Sequence, residues 1–402
     1  MKTKTLLKTS LLAGLTGMLL ACGGEPVATK VTLTIWEDDT NIEMLSVVAE
    51  EFGAWYAEAY PLAPKVEVTF VPESEGKSVS NLILDGPSGN GPDIIAFVHD
   101  TLGTAVNNGL LDEVPFTSEI SSKNTPESVS AFTYDDVLYA YPYVAESITV
   151  MYDSSKLQLS DLASFESLLA SGEKMALTTS GDGSAYYTFG LFSDAVLFGA
   201  DGTDSTDLNL ATEKSVNNVY SFLHNYSEAI TDTDPDTALS LLGTGEVAAV
   251  VTSPYLWSSV KTNLGANAAL ATLPMIDGVD QRPFSGFKGY GVSKYSKNPT
   301  IAHLFAHYLT TEDSQYFRFH EKGYLPTYVG SSRIDTAIAA DSEASVFKAS
   351  LEKSVAMPNI LAMADFWSPM QDACTQLWNE KDTITLAGVQ TILEDATTAI
   401  LN

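Results

Sequence analysis

The segment Gly91-Pro92-Asp93-Ile94-Ile95-Ala96-Phe97-Val98-His99-Asp100-Thr101-Leu102-Gly103 decides how the chain folds. Its apolar run over 94–98 predicts a short buried strand, and the apolar spacing that follows predicts a helix directly after it. A strand that passes straight into a helix is typical of a parallel α/β sheet, where ligands bind beyond the carboxyl ends of the strands. Phe97, His99 and Asp100 would lie there, unless Asp100 only caps the helix and Phe97 only packs in the core.

Two further strands, each followed by a helix, are predicted before this segment. Alternating apolar residues predict strands over 31–36 and 66–70, and Thr40-Asn41-Ile42-Glu43 has the pattern of a capping box that starts the intervening helix. The order βαβαβ predicts a parallel sheet with helical crossovers. Later segments, including a helix over 186–197 and a strand at 273–274, predict a second unit inserted into the first. The predicted fold class is α/β with two domains.

The first residues have the pattern of an export signal. A start with three lysines precedes an apolar run over 11–20, which is shorter than the ~20 residues that span a bilayer. The run ends in Leu19-Leu20-Ala21-Cys22, which resembles the bacterial lipobox, whose cysteine is lipidated. We assign 1–21 to a signal peptide and 22–30 to the lipidated Cys22 and a tether, which makes the protein exported and anchored to the bacterial membrane. An ordinary signal peptide with an incidental cysteine is the alternative.

The chain is strongly acidic. It has 51 Asp and Glu against 21 Lys and Arg, a net charge of −30, and loss of the three signal lysines makes it −33. Because nucleic-acid binding requires basic residues that neutralise phosphates, this class of partner is excluded. The second cysteine, Cys374, has no disulfide partner once Cys22 is acylated and is expected to be a small buried side chain.

A lone carboxylate marks the middle of the chain. The aromatic, strand-like run over 138–152 contains a single charged residue, Glu146. Burying an unpaired charge is costly, so Glu146 needs a functional explanation. Acidic turns at 201–207 and 232–236 are spaced somewhat like calcium loops, but they lack the glycine and final glutamate of such loops at the proper offsets. We interpret them as caps and solvated turns, and expect neither metal nor cofactor.

Several of these segments, in this order, resemble the maltose/maltodextrin-binding proteins, the sugar-capturing components of ABC importers. The resemblance covers nearly the whole mature chain and rests on these pieces: Ile35-Trp36, Gly91 to Ile95 with His99-Asp100, Ala140-Tyr141-Pro142 with Glu146, Gly243 to Trp257, Met357-Pro358-Asn359-Ile360, and Phe366-Trp367. It implies the type II periplasmic-binding-protein fold, in which hinge strands join two α/β lobes around a ligand cleft. The N-terminal lobe would comprise 31–144 and 286–340, and the C-terminal lobe 145–285 and 341–402.

The resemblance also implies a set of sugar-binding residues. Carboxylates would accept hydrogen bonds from sugar hydroxyls, aromatic rings would stack on the apolar faces of the sugar, and Met357 would add an apolar contact. Asp365 and Pro369 indicate that Trp367 lies in a loop. The predicted site residues are Asp38, Asp39, Phe97, Asp100, Thr101, Glu146, Tyr186, Tyr187, Tyr255, Met357, Trp367, Ser368 and Gln371.

The chain departs from the family at several of these positions. The start of the first helix, with Asp38 and Asp39, has no cation; Thr101 and Gln371 stand where the family has arginine, and Ser368 where it has tyrosine. Loss of an arginine removes bidentate donors to sugar oxygens. Either maltose binds weakly, or the preferred ligand is a longer or different oligosaccharide.

The leading hypothesis is a monomeric carbohydrate receptor that closes around its ligand by a hinge motion and delivers it to membrane permease subunits. It is not an enzyme in this interpretation. The alternative is a secreted glycoside hydrolase that uses Asp100 and Glu146, since that chemistry requires two carboxylates about 5–10 Å apart. A third class, a surface adhesin, would not bind small sugars saturably.

Overall fold

The computed structural model describes residues 30–402, so the predicted signal peptide, Cys22 and nearly all of the tether lie outside the described part. The strands are β1 (Lys30–Glu37), β2 (Lys65–Pro72), β3 (Ile94–Val98), β4 (Thr133–Tyr134), β5 (Val137–Leu138), β6 (Ala140–Ser147), β7 (Thr149–Asp153), β8 (Met175–Leu177), β9 (Val196–Leu197), β10 (Leu208–Asn209), β11 (Ile230–Asp232), β12 (Ala249–Thr252), β13 (Ala268–Ala271), β14 (Phe284–Val292) and β15 (Val355–Ala356). The helices are α1 (Asp39–Ala59), α2 (Ser78–Asp85), α3 (Leu102–Asn107), α4 (Thr117–Lys123), α5 (Pro126–Ala131), α6 (Phe165–Ser171), α7 (Ser184–Tyr187), α8 (Glu213–Ser221), α9 (Pro235–Thr244), α10 (Trp257–Leu264), α11 (Pro299–Tyr308), α12 (Glu312–Lys322), α13 (Ser332–Ala340), α14 (Ser342–Glu352), α15 (Met363–Asn379) and α16 (Leu386–Leu401).

The first sheet has six strands and contains the apolar run 94–98 as β3. Its order is β15-β14-β3-β1-β2, and β6 also pairs with β14. Strands β1, β2 and β3 are parallel, as the βαβαβ pattern predicts. β14 runs antiparallel to β3 and places Tyr290 opposite Ala96. We call this sheet and the helices packed on it the first lobe.

The second sheet has the order β11-β8-β12-β7-β13 and forms the second lobe with its helices. β8 is parallel to β11 and β12, whereas β7 is antiparallel to β12 and β13. The chain passes from β6 in the first sheet to β7 in the second through Ile148 alone. It returns to the first sheet in β14. These crossings match the predicted insertion of one α/β unit into another.

Separate hydrophobic cores support the two lobes. One core contains residues from Leu33 to Ala145 and from Phe287 to Tyr324. A second core contains residues from Ile148 to Phe284 and from Met357 to Ile400. A third, smaller cluster includes Trp257 and joins Met151 of β7 to residues of α12 and α14. The lobe boundaries given above remain predictions, and this third cluster shows that α12 also packs on second-lobe residues.

The segment after β15 fastens the two lobes together. A Cβ on Gly103 would lie 2.3 Å from the backbone nitrogen of Leu361, so α3 and this segment approach each other as only glycine allows. Asn359 donates its side-chain amide to the carbonyls of Ser130, Ala131 and Thr133, at 2.9–3.1 Å. The extended segment therefore caps the end of α5 in the first lobe.

His99 is part of the same connection, although its role is undecided from the sequence. Its Nδ1 accepts from the Phe287 backbone N–H at 3.1 Å, so the ring proton lies on Nε2, which donates to the Met357 carbonyl at 2.9 Å. Burial lowers the pKa of the imidazole to about 4. His99 is thus a neutral residue that joins β3, β14 and the segment after β15.

Four local predictions are wrong. Helix α1 begins at Asp39, and Asp38 rather than Thr40 is its N-cap, since the Asp38 carboxylate accepts from the Thr40 N–H at 3.0 Å. The predicted helix over 186–197 ends at Tyr187 and continues only as a 3-10 turn over 189–191. Residues 188–193 are all buried, so this segment lacks the alternation of buried and exposed faces that identifies a surface helix. Residues 273–274 lie outside any strand.

The fourth correction concerns Trp367, which lies on α15 and not in a loop. Pro369 is the seventh residue of this helix, so its missing N–H leaves the Asp365 carbonyl without its usual helical donor while the helix continues past it. The buried face of α15, with Phe366, Met370 and Leu377, fits the helical period and holds the helix against the second core.

Candidate functional site

Three charged side chains meet where β6 and β14 pair. Lys288 on β14 places its Nζ 2.8 Å from Glu75 Oε2 and 3.5 Å from Glu146 Oε1. Their side chains are only 10–13% exposed. Glu146 Oε2 is buried and has no hydrogen-bond partner in the described chain. Because a buried carboxylate oxygen without a donor is costly, this atom is an acceptor open to a ligand.

Three tyrosines lie within range of the charge of Glu146. The negative charge of Glu146 adds to burial in raising the pKa of Tyr186, Tyr187 and Tyr255. The pKa of Tyr187 reaches about 12. Tyr255 is 47% exposed although it is a large aromatic residue. The four side chains form a polar and aromatic patch on which a sugar ring can both stack and hydrogen-bond.

Met357 lies on the other side of Glu146. A Cβ built on Gly286 would be 3.8 Å from both the Glu146 Cγ and the Met357 Cε, so these two side chains flank the same bare stretch of β14. The absence of a side chain at Gly286 leaves room between them. The structure therefore brings together Glu146, Met357 and the tyrosines that the sequence singles out.

Asp100 and Trp367 form the other half of the candidate site. Asp100 lies on the 3-10 turn after β3, and burial raises the pKa of its carboxyl to about 7. Hydrogen bonding from the backbone of Asp100, from the Trp367 side chain and from the Thr101 backbone acts in the opposite direction. Trp367 is on α15, so this contact connects the two lobes.

A row of aromatic rings joins the two halves. Phe284, the first residue of β14, lies 5.9 Å from the Trp367 ring and 6.3 Å from the Tyr186 ring, measured between centroids. Phe284 is fully buried, whereas Trp367 and Tyr186 are partly exposed. Phe284 thus fixes the spacing between two rings that can contact a ligand.

The remaining predicted residues lie at the edges of this arrangement. Asp38 contributes negative charge at Tyr255, so it faces the same space, while its carboxylate also caps α1. Asp39 is exposed in the first turn of α1. Thr101 donates its hydroxyl proton to the Val98 carbonyl at 2.8 Å, so this donor is already used within the protein.

Ser368 and Gln371 extend the surface of α15 near Trp367. Ser368 is exposed and Gln371 is partly buried. Trp367 and Gln371 are four residues apart and share one face of the helix. Their part in ligand binding stays a prediction.

The structure contradicts the predicted role of Phe97. Its side chain is fully buried in the first core and packs edge-on against Phe132, with 5.4 Å between ring centroids. Alternation along β3 points Phe97 into that core, while the neighbouring Val98 packs on the second core. A run of consecutive apolar residues does not reveal which face of the sheet each residue occupies. The sequence alone therefore could not show that Phe97 and Val98 point to different lobes.

Sequence reasoning missed Glu75, Lys288 and Tyr324. Burial raises the pKa of Tyr324 to about 12, and Lys288 stands 5.7 Å from the centre of its ring. Lys288 had a usable signal, because it is the one charged residue in the strand Phe284–Val292. A single charged residue in a buried strand needs a functional explanation at Lys288 as much as at Glu146. Glu75 had no such signal, since it lies in a polar loop between β2 and α2.

The acidic turns use their carboxylates locally. Asp201 and Asp204 accept hydrogen bonds from threonines two residues ahead, and Asp232 accepts from the backbone of Thr179 and Ser180. Among residues 30–402, no three His, Cys, Asp or Glu side chains are grouped as metal ligands would be. In the same residues, no helix has the length and apolar character needed to cross a membrane. Cys374 is buried, as expected.

Comparison with known proteins places this geometry in a family. The family model described as bacterial extracellular solute-binding protein matches residues 55–346. The chain belongs to this family. The predicted α/β fold, with two lobes of the type II periplasmic-binding-protein kind, is confirmed.

Relatives of this solute-binding protein are named for sugars. It is 27% identical over 360 residues to the galactooligosaccharide-binding protein of Bacillus subtilis, covering 85% of this chain and 83% of the relative. It is 25% identical over 398 residues to the maltooligosaccharide ABC transporter solute-binding lipoprotein of Streptococcus pneumoniae, covering 92% and 91%. A cyclo/maltodextrin-binding protein solved with maltotetraose superimposes with a TM-score of 0.75 at 27% identity, covering 94% and 98%.

Asp100 generates a prediction about stability. Its carboxyl titrates near 7 when folded and near 3.8 when unfolded, so the folded state binds the extra proton between these values and stability falls as the pH rises through them. Asp100→Asn should raise the free energy of unfolding by about 1–2 kcal/mol at pH 8 and leave it nearly unchanged at pH 4. Urea denaturation at both pH values measures this.

Asp395→Asn, on an exposed position of α16, is the matched control and should show no such difference. An equal effect of Asp100→Asn at pH 4 and pH 8 would show that the carboxyl is not perturbed.

Proposed function

We propose that this protein binds an oligosaccharide of the maltodextrin type between its lobes and delivers it to the permease of an ABC importer. The observation that supports this most strongly is the free buried oxygen of Glu146, whose charge acts on Tyr186, Tyr187 and Tyr255. The maltooligosaccharide-binding lipoprotein and the maltotetraose complex among its relatives support the choice of sugar.

The proposed site suits a chain of glucose rings. A pyranose offers apolar C–H faces and a fringe of hydroxyls, so it is bound best by flat aromatics beside hydrogen-bond acceptors. Trp367 and Tyr255 provide rings on the second lobe, and Asp100 and Glu146 provide carboxylates on the first. Because the contacts come from both lobes, the ligand favours the closed arrangement through its greater affinity for it.

We propose further that the preferred ligand is longer than maltose. Thr101 and Gln371 stand where the resembled family has arginines. The hydrogen-bond donors of those guanidinium groups are therefore absent from this chain. Additional sugar rings stacked on the partly exposed Trp367 and Tyr186, whose spacing Phe284 fixes, can compensate for this loss.

A galactose-based oligosaccharide is the second candidate. The 27% identity to a galactooligosaccharide-binding protein favours it as strongly as any single comparison favours a glucan. The hydrolase alternative has less support, because the relatives are named as binding proteins. Incubation with maltotriose followed by an assay for new reducing ends distinguishes cleavage from binding.

The ligand class is tested by Trp367→Ala. Loss of a stacking ring should weaken maltotriose binding by about 2–3 kcal/mol, or roughly a hundredfold in Kd, measured by titration calorimetry. Trp378→Ala, which removes a ring from the same helix beside Phe222, is the control and should keep the affinity of the original protein.

The calorimetry panel also includes maltose, maltotetraose and a galactooligosaccharide. Binding of the galactooligosaccharide alone would replace the glucan with the second candidate. Equal affinity of Trp367→Ala and the unaltered protein would remove Trp367 from the site.

We also propose that Cys22 is acylated and tethers the protein to the outer face of the cytoplasmic membrane, next to the permease, and that the protein acts as a monomer. Two or more acyl chains anchor a protein stably, at about 0.8 kcal/mol per buried methylene. Palmitate labelling in cells should mark the full-length protein and should be lost in Cys22→Ala, which is then released to the medium or periplasm. Retained labelling in this variant would contradict the assignment.

A further inference from the structure

We propose that Lys288 is a positioning residue of the sugar site, which anchors the side chains of Glu75 and Glu146 and orients the free oxygen of Glu146 toward the ligand. This inference rests on the proposed function for its ligand and goes beyond the set of residues that the family resemblance supplies. It gives the cleft a cation from the hinge strand, where the first helix and positions 101 and 371 supply none.

The geometry separates the two oxygens of Glu146. Oε1 lies 3.5 Å from Lys288 Nζ, and Oε2 has no partner. Lys288 sits on β14 opposite Val144 of β6, while Glu146 sits two residues further along β6 opposite Gly286. Because both residues are on strands fixed by backbone pairing, the direction of Oε2 is set by the sheet and not by a flexible loop.

Lys288 also fixes Glu75, which comes from the loop after β2. Glu75 Oε2 accepts from Lys288 Nζ at 2.8 Å, and Glu75 Oε1 accepts from the Tyr143 hydroxyl at 2.7 Å. Both oxygens of Glu75 are therefore occupied. Glu146 retains the open acceptor, and the charge of Lys288 opposes the effect of Glu75 on the pKa of Glu146.

The groups around this pair are mostly acidic or neutral. The titratable side chains that interact with Lys288 or Glu146 come from the loop after β2, from α7, from the turn after β12 and from the segment after α12; they are Glu75, Tyr186, Tyr187, Tyr255 and Tyr324. Asp38, before the start of α1, acts on Tyr255 and Tyr324. Lys288 is the cation that pairs with Glu146, while Arg318, stacked over the Tyr143 ring, also acts on Glu75. Loss of Lys288 leaves the ionised form of Glu146 without compensation.

The pKa of Glu146 determines how the loss of Lys288 changes the affinity for the sugar. Burial raises the pKa of Glu146, Lys288 lowers it, and Glu75 raises it again. Removing Lys288 therefore moves the pKa of Glu146 further up. A protonated Glu146 accepts fewer hydrogen bonds from sugar hydroxyls, so the variant should lose affinity mainly at low pH.

The test uses the full mature chain in three forms: unaltered, Lys288→Gln and Lys288→Arg. The pKa of the Glu146 carboxyl is measured by carbon NMR, with the signal assigned from Glu146→Gln, and the Kd for maltotriose is measured by calorimetry at pH 5.5 and pH 8. Lys288→Gln should raise the Glu146 pKa by about one unit and enlarge the ratio of the two Kd values by up to about tenfold. Lys288→Arg should restore both, since it keeps the charge.

Lys294→Gln is the matched control. Lys294 lies two residues beyond β14 and pairs with Asp112 at 2.6 Å on the exposed surface. Its removal should change neither the Glu146 pKa nor the ratio of Kd values. Comparing ratios between variants cancels the titration of Asp100, which is common to all of them.

Each outcome is informative. An unchanged Glu146 pKa and Kd ratio in Lys288→Gln would overturn the inference, even if the variant melts at a lower temperature, because that result describes a residue needed only for folding. A raised Glu146 pKa together with no maltotriose binding by the unaltered protein would support the electrostatic role of Lys288 and overturn the proposed function.

Discussion

Strand β14 is the constraint on which the rest of the structure depends. All nine of its residues are buried, and it pairs with β3, β6 and β15. Its glycines are required by what packs on them, since a Cβ at Gly289 would meet the Phe132 ring at 2.6 Å and one at Gly291 would meet the Leu111 side chain at 2.9 Å. With β14 in place, Phe284 positions the aromatic row and Lys288 positions the carboxylates.

The buried charges beside β14 form a continuous network. The Glu37 carboxylate accepts from the Tyr290 hydroxyl at 2.6 Å, and Arg318 donates to the same hydroxyl at 2.8 Å while its guanidinium lies over the Tyr143 ring at 4.2 Å. Tyr143 in turn donates to Glu75. Such a network stabilises the fold only while its members are paired, because each buried charge is costly alone.

Protonation helps to balance this network. The carboxylates Glu37, Glu75 and Glu146 outnumber the cations Lys288 and Arg318. Burial, and then the charge of Glu75, raise the pKa of Glu37 to about 7. A raised pKa at Glu37 favours its neutral form, which lessens the excess of negative charge in the network.

The sequence predicted most of the fold and part of the site. Strand β3 and the turn at Asp100 follow from a local pattern, and the lobes follow from strand and helix order. Phe97 was misplaced because an unbroken apolar run hides the alternation of faces. His99 and Lys288 have partners far along the chain, such as Met357 for His99, and only the folded sheet brings those partners together.

Closure of the two lobes on a sugar changes the overall dimensions of the protein, which small-angle X-ray scattering measures in solution. The radius of gyration is measured for the mature protein without ligand and with maltotriose at a concentration that calorimetry shows to be saturating. The account predicts a smaller radius of gyration with the sugar, because ligand contacts from both lobes favour the closed arrangement. Saturating binding with an unchanged radius of gyration would contradict it.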